Sequence, residues 1–155
     1  MKTIIKILII GIIVFPVVFS CTKESKSFGL KDFSYSGCKS HQKNLTTNQS
    51  SDEKEVIEIK SDNGYLEITH KNVYFNCEPG KIIAKASLKD TVITISEEET
   101  KHDVNCICLY DLSLKLGPLN FGTYYFSITR GNAEYTHFTI DYHAKIDTTF
   151  EVNKN

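Results

Sequence analysis

The chain has 155 residues, a formal net charge of −1 and 41% hydrophobic residues, which suffices for one domain with its own core. Because the chain is slightly acidic and Arg130 is its only arginine, we expect no nucleic-acid partner. Because tryptophan is absent, any stacking site must use tyrosine, phenylalanine or histidine.

Residues 1–20 have the composition of an export signal. Two lysines precede an almost wholly apolar run that is too short and too interrupted for a spanning helix, and small Ser20 precedes Cys21. The sequence Val18-Phe19-Ser20-Cys21 resembles the lipobox of bacterial lipoproteins. The resemblance implies that Cys21 becomes a lipidated N-terminus; the alternative is an ordinary secretory signal.

This interpretation predicts three segments: a signal peptide at 1–20, a lipidated Cys21 with a polar tether and long loop at 21–55, and a β-sandwich domain at 56–155. Fatty acyl chains such as palmitate would make the membrane a partner. The resemblance also implies that an aspartate at residue 22 would favour the inner membrane, so Thr22 at that position favours the outer membrane. Loss of the signal, with its two lysines and no acid, changes the formal charge from −1 to −3.

The region before residue 56 is predicted to contain little regular structure. Phe28 to Tyr35 could form a first, weak strand, although Gly29 counts against a regular one. Ser36 to Glu55 is polar, with one aliphatic residue, and reads as a long exposed loop pinned at Cys38.

From Val56 onward, apolar residues alternate with polar ones. Asn63-Gly64 is a strong hairpin signal, and a two-residue loop there places Ile59 opposite Ile68 and Ile57 opposite His70. We expect His70 to be a partly buried histidine rather than a ligand.

A second hairpin is predicted around Lys89-Asp90, with Ala86 opposite Ile93. Glu97-Glu98-Glu99 would close this hairpin as a solvated loop, because no ligand-loop spacing surrounds these acids to suggest a cation site. Before this hairpin, Val73, Phe75 and Cys77 share one inward face.

The stretch from Asn105 to Ile128 predicts two strands around a turn at Gly117-Pro118. Tyr124 lies inward at the start of the second strand and resembles the tyrosine corner of immunoglobulin-like sandwiches, in which the hydroxyl bonds back to the preceding turn. Further alternation up to Tyr142 brings the total to seven to nine short strands. The fold class is therefore all-β, an immunoglobulin-like antiparallel sandwich.

Besides Cys21, the chain has four cysteines, Cys38, Cys77, Cys106 and Cys108. In an exported protein they are most simply two disulfides. Cys106 and Cys108 lie about 7 Å apart on one strand face, too far to bridge each other, so Cys77 pairs with one of them and Cys38 with the other. The alternatives are free thiols or a metal held by Cys77, His102, Cys106 and Cys108.

Catalytic motifs are absent: the chain has no GxSxG, HExxH, P-loop or GxGxxG pattern, and its histidines lack a recognisable partner. We therefore expect neither an enzyme nor a cofactor. Tyr125, Tyr135 and His137 are predicted to share an outward sheet face, where they could hold a glycan or protein ligand or could merely cover the sheet.

The segments NVYFNCEPG (72–80) and NCICLYDLSLKLGPLNFG (105–122), with the tyrosine-rich strand that follows, resemble a group of small lipoproteins from Bacteroidetes-type bacteria. The resemblance covers about half of the mature chain. It implies an exported β-sandwich but no functional residues. We expect a surface binding or structural module; the alternatives are a periplasmic inhibitor of a wall-degrading enzyme, similar to lipid-anchored lysozyme inhibitors, and a thiol or metal site.

Overall fold

The computed structural model describes residues 27–39, 41–42 and 54–152. These residues form strands and no helix. The predicted export signal, Cys21 and most of the predicted loop lie outside the described residues. The strands are β1 (Gly29–Tyr35), β2 (His41–Gln42), β3 (Val56–Asp62), β4 (Tyr65–Asn76), β5 (Ile82–Lys89), β6 (Val92–Glu99), β7 (Ile107–Gly117), β8 (Gly122–Arg130), β9 (Ala133–Tyr142) and β10 (Asp147–Glu151).

Two sheets pack face to face, which confirms the predicted all-β sandwich. Sheet A has the order β1-β7-β4-β3-β10, with β2 also paired to β7, and sheet B has the order β5-β6-β8-β9. One pairing departs from the expected antiparallel arrangement, because β6 and β8 run parallel. No helix long and apolar enough to cross a membrane is found in the described part of the chain.

The sandwich begins earlier in the chain than residue 56. Strand β1 pairs antiparallel with β7 from Gly29 opposite Gly117 to Tyr35 opposite Leu112. A register shift between Leu30 and Asp32 absorbs the irregularity expected near Gly29. The segment that follows stays on β7, where the Lys39 amide donates to the Leu109 carbonyl at 2.9 Å. The predicted weak strand is therefore an integral strand of sheet A.

The two hairpins differ in how well their register was predicted. In the β3–β4 hairpin, Ile59 lies opposite Ile68 and Ile57 opposite His70, as predicted. In the β5–β6 hairpin, the predicted register is wrong by two residues, since Ala86 lies opposite Ile95. The cause is the loop, which consists of Asp90 and Thr91, with Asp90 at a φ of 55°.

The long strand β7 lies between β1 and β4, and its inward residues fill the centre of the core. The tyrosine corner next to it is confirmed, because the Tyr124 hydroxyl donates to the Asn120 carbonyl at 3.0 Å. Gly117, at a φ of 140°, ends β7 where a Cβ atom would lie 2.8 Å from the Tyr65 ring. A side chain at residue 117 would therefore displace Tyr65.

Candidate functional site

A buried ionic cluster joins the two sheets around His70. Its Nδ1 lies 3.0 Å from both carboxylate oxygens of Glu97, and its Nε2 lies 2.9 Å from Oε1 of Glu55. The side chains of His70 and Glu97 are fully buried, and that of Glu55 is 4% exposed. Because ionised carboxylates only accept hydrogen bonds, both ring nitrogens must donate, which requires a protonated imidazole.

The strand registers explain why these polar groups meet inside the sandwich. His70 continues the inward face of β4 after Leu66 and Ile68, and Glu97 continues the inward face of β6. The prediction that Glu97 to Glu99 form a solvated loop is wrong, because all three lie in β6 and Glu97 is 1% exposed. His70 is likewise fully rather than partly buried.

Arg130 completes the cluster by stacking rather than by close hydrogen bonds. Its guanidinium carbon lies 3.8 Å from the centre of the Tyr135 ring and 4.8 Å from that of Phe75. Its Nη2 is 3.6 Å from carboxylate oxygens of both Glu55 and Glu97, and Nη1 donates to the Tyr74 carbonyl at 3.3 Å. The charges of two carboxylates, one guanidinium and one imidazolium therefore balance.

Burial and charge act in opposite directions on these groups. Burial alone would lower the pKa of His70, but the charge of Glu97 and hydrogen bonds to both carboxylates raise it above its usual value. Burial would raise the pKa of Glu55, but hydrogen bonds from His70 and Tyr135 lower it. Burial raises the pKa of Tyr135, which therefore stays protonated and donates to Oε2 of Glu55 at 2.7 Å.

This cluster can hold the two sheets together but offers no free histidine nitrogen to a substrate or metal. Both nitrogens of His70 are engaged, and water is excluded from its ring. We therefore assign the cluster a structural role in joining β4 of sheet A to β6 of sheet B.

The four cysteines form two disulfides, which resolves the alternatives left open by the sequence. Cys77 pairs with Cys106 and Cys38 pairs with Cys108, each with a Cα–Cα distance of 5.4 Å. The two bridges touch, since the Cys108 and Cys77 sulfurs are 3.2 Å apart. In this oxidised state all four sulfurs are committed to disulfides rather than to the predicted alternative metal site.

His102, the fourth member of that alternative site, is largely exposed and has a carboxylate partner. Its Nδ1 lies 2.8 Å from Oε1 of Glu99. Among the described residues, the group close enough to share a metal ion is Cys77, Cys106 and Cys108, without His102.

A surface patch on the outer face of sheet B contains two of the three predicted binding residues. The rings of Tyr125 and His137 stack with centres 5.4 Å apart and an interplanar angle of 27°. Val92 lies beside Tyr125 on the neighbouring strand and is 39% exposed, while Tyr125 is 36% exposed. We call Val92, Tyr125 and His137 the outer patch.

Tyr135 is not part of the outer patch, which corrects the prediction. The β8–β9 pairing passes from Ile128 opposite Thr136 to Thr129 opposite Glu134, so Tyr135 is the extra residue of a bulge. A bulge reverses the alternation of side chains along a strand. Tyr135 therefore reaches the buried Glu55, while His137 remains at the surface.

Polar groups surround the outer patch. Nδ1 of His137 lies 2.8 Å from Oε1 of Glu134, whose other oxygen accepts a hydrogen bond from the Ser127 hydroxyl at 2.6 Å. Thr139 lies opposite Tyr125 on β9. The patch thus combines a flat aromatic surface with a carboxylate and hydroxyl groups.

Comparison with protein families, with curated proteins and with solved structures finds no match to this chain. The resemblance to small bacterial lipoproteins therefore stays a prediction, and the roles of the residues rest on the geometry of this chain.

Sequence reasoning missed Glu55, Glu97 and Arg130 in the cluster and Val92 in the outer patch. A signal for Glu97 was present, because the alternation of Ile93 and Ile95 continues to it. The contact between Val92 and Tyr125 depends on the parallel pairing of β6 with β8, which joins strands that are distant in sequence.

Proposed function

We propose that the protein is an exported, lipid-anchored binding module whose outer patch holds a ligand. The observation that supports this function is the exposed stack of Tyr125 on His137 beside Val92. Exposed aromatic and aliphatic side chains that adjoin one another on a sheet are a recurrent feature of interaction sites.

The chemistry of the outer patch fits a ligand with one flat apolar face and a polar edge. A sugar ring is the simplest such ligand, since it can stack on an aromatic surface while its hydroxyls meet hydrogen-bonding groups. Glu134, which contacts His137, and Thr139, which lies opposite Tyr125, are the polar residues beside the stack that support this proposal. We therefore propose a glycan as the ligand.

Export is supported by two features of the chain. The sequence of residues 1–21 has the features of a lipoprotein signal. The two disulfides are typical of proteins that fold outside the reducing cytoplasm. Anchoring through Cys21 would keep the module at a membrane, and the absence of aspartate at residue 22 favours the outer membrane.

A glycan-binding screen of the mature protein, compared with its Tyr125→Ala variant, tests the ligand site. We expect bound glycan to be lost in Tyr125→Ala and retained in Tyr35→Ala, a matched control because Tyr35 is similarly exposed but lies on sheet A. Retention of binding in Tyr125→Ala would place the site elsewhere. Failure of every glycan to bind, together with inhibition of a lysozyme, would favour the inhibitor alternative.

Replacement of Cys21 by serine tests the anchor separately. We expect the Cys21→Ser protein to leave the membrane fraction, since acyl chains on this residue are the proposed anchor. A variant that remains in that fraction after a high-salt wash would contradict the lipidation proposal without bearing on the outer patch.

A further inference from the structure

Three sulfur atoms from the two bridges lie together at one end of β7. The sulfurs of Cys77, Cys106 and Cys108 are all within 4.8 Å of one another. The backbone fixes this arrangement, because the Cys77 amide donates to the Cys106 carbonyl at 3.0 Å and Cys108 lies opposite Phe75 in the β4–β7 ladder. Cys77 is thus held beside its own partner and beside a sulfur of the other disulfide.

The distance between the two bridges is a reactive one. The Cys77 and Cys108 sulfurs are 3.2 Å apart, within the range of about 3–3.5 Å at which positioned reactants attack one another. Thiol–disulfide exchange needs a thiolate next to a disulfide sulfur, and it passes through a mixed disulfide. Opening of either bridge would supply that thiolate.

Cys106 offers a route of attack from outside. A surface cleft of about 270 Å³ is lined by Cys106, Tyr74, Glu99 and Asn105, among others. Cys38, Cys77 and Cys106 are all half-buried, whereas Cys108 is 1% exposed, and of these cysteines Cys106 lines the cleft. An incoming thiol can therefore approach Cys106, while Cys108 is protected from direct attack.

We propose that these cysteines form a thiol–disulfide exchange site for an external thiol. The proposed partner that supplies this thiol is a dithiol protein. The external thiolate bonds to the Cys106 sulfur, and the Cys77–Cys106 bond breaks with its electron pair on Cys77. The Cys77 thiolate then bonds to Cys108. The Cys38–Cys108 bond breaks, and Cys38 leaves as a thiolate that takes up the proton lost by the incoming thiol.

The first two steps leave the total number of disulfides at two, one of which joins Cys106 to the donor. The products of the first two steps are a mixed disulfide on Cys106, a Cys77–Cys108 bridge and a Cys38 thiol. The second thiolate of a dithiol donor then attacks the mixed disulfide and releases Cys106 as a thiol. The donor is oxidised by two electrons, and the chain is reduced by two. This activity goes beyond glycan binding and does not depend on the outer patch.

The first test uses the oxidised mature protein and reduced glutathione as the probe. After brief exposure, acid quenching, alkylation and digestion at low pH, fragmentation of the non-reduced peptides locates each bond. We expect glutathione on Cys106, a new Cys77–Cys108 bridge and alkylation of Cys38. Glutathione on Cys106 with alkylation of Cys77 and an unchanged Cys38–Cys108 bridge would overturn the proposal.

Two single variants test the internal step without any external thiol. Cys106→Ser leaves a Cys77 thiol beside the Cys38–Cys108 bridge, and Cys38→Ser leaves a Cys108 thiol beside the Cys77–Cys106 bridge. We expect both to accumulate the same Cys77–Cys108 bridge, with the alkyl label moving to Cys38 in the first and to Cys106 in the second. Label confined to Cys77 and Cys108, respectively, would overturn the exchange; if either variant fails to fold, the wild-type measurement decides.

Discussion

A histidine–glutamate pair lies on each side of sheet B, and the two pairs differ mainly in their access to water. His70 projects from sheet A onto the inner face of sheet B, where it is fully buried and lies 3.0 Å from Glu97. His137 lies on the outer face, 46% exposed, and is 2.8 Å from Glu134. The same two residue types at nearly the same distance therefore lie in opposite environments.

The difference shows that exposure to water, rather than the contact distance, determines how much such a pair contributes to the free energy of unfolding. An exposed ion pair contributes between zero and about 1 kcal/mol, because water screens both charges. A buried pair has already lost its hydration, so removal of one partner leaves the other charge without compensation. We call the buried ionic cluster of Glu55, His70, Glu97, Arg130 and Tyr135 the inner cluster. The inner cluster is expected to control stability and the outer patch to control binding.

The largest predicted effect is that of Glu97→Gln, which removes a buried charge with little change in shape. Arg130 and the protonated His70 would lose one of their two shared counter-ions, so the free energy of unfolding should fall by about 3–5 kcal/mol. Urea unfolding of the mature protein measures this change. The matched change Glu134→Gln on the outer face should leave the unfolding midpoint where it is, and an equal loss in both variants would break the comparison.

A smaller loss is predicted for Tyr135→Phe. This variant keeps the ring over Arg130 but removes the hydroxyl that donates to Glu55 at 2.7 Å. Hydrogen bonds to charged groups contribute about 1.5–3 kcal/mol, and we expect a loss of that size in urea unfolding. The exposed Tyr35→Phe is the control, and a neutral Tyr135→Phe would show that Glu55 is held by His70 without help from the tyrosine.

Stability should also depend on pH through the inner cluster. The raised pKa of His70 means that its contribution is fully present below its usual pKa of 6.5 and is lost as pH rises through the folded value. The lowered pKa of Glu55 means that its contribution is present above 4.5 and is lost as pH falls through its folded value. Stability from this cluster is therefore greatest between pH 4.5 and 6.5.

Urea unfolding at pH values below 4.5, between 4.5 and 6.5, and above 6.5 checks the pH prediction. The change should be smaller than that in Glu97→Gln, because a titrating group can change its protonation state instead of remaining as an uncompensated buried charge. His70→Gln should remove the decline above pH 6.5, whereas His137→Gln should retain it. The same decline in His70→Gln as in the wild-type protein would assign it to another group.

Local pattern was sufficient to predict much of the fold. The β3–β4 register followed from Asn63-Gly64, because this dipeptide occupies a two-residue loop that leaves one alignment of the flanking residues. Lys89-Asp90-Thr91-Val92 allows either of two loops, and the choice moves every facing pair by two residues. Glu97 was misassigned for a different reason: three consecutive acids were taken as a solvated loop, although the alternation of Ile93 and Ile95 continues to Glu97.

The inner cluster could not be predicted, since its members come from distant parts of the chain. Glu55 meets Tyr135 only because the two sheets pack at this end, and alternation in the sequence does not record which sheets face each other. The bulge that turns Tyr135 inward is likewise set by the β8–β9 pairing. A bulge leaves no mark in the residue types of the strand. The alternation of residues in the sequence therefore predicted, wrongly, that Tyr135 and His137 share a face.

The smallest predicted effect compares two adjacent residues on opposite sides of sheet B. Tyr124 is 8% exposed and donates to the Asn120 carbonyl, whereas Tyr125 is 36% exposed and stacks on His137. Tyr124→Phe should lower the free energy of unfolding by about 1 kcal/mol, the contribution of one neutral hydrogen bond. Tyr125→Phe should leave stability and ring stacking unchanged, because its hydroxyl lies at the surface. Urea unfolding of the two variants side by side checks both statements.

A neutral Tyr124→Phe would mean that water replaces the lost bond and that the tyrosine corner is held by packing alone. A destabilised Tyr125→Phe would show that the outer patch also contributes to the fold, which would narrow the difference between the two sides of the sheet.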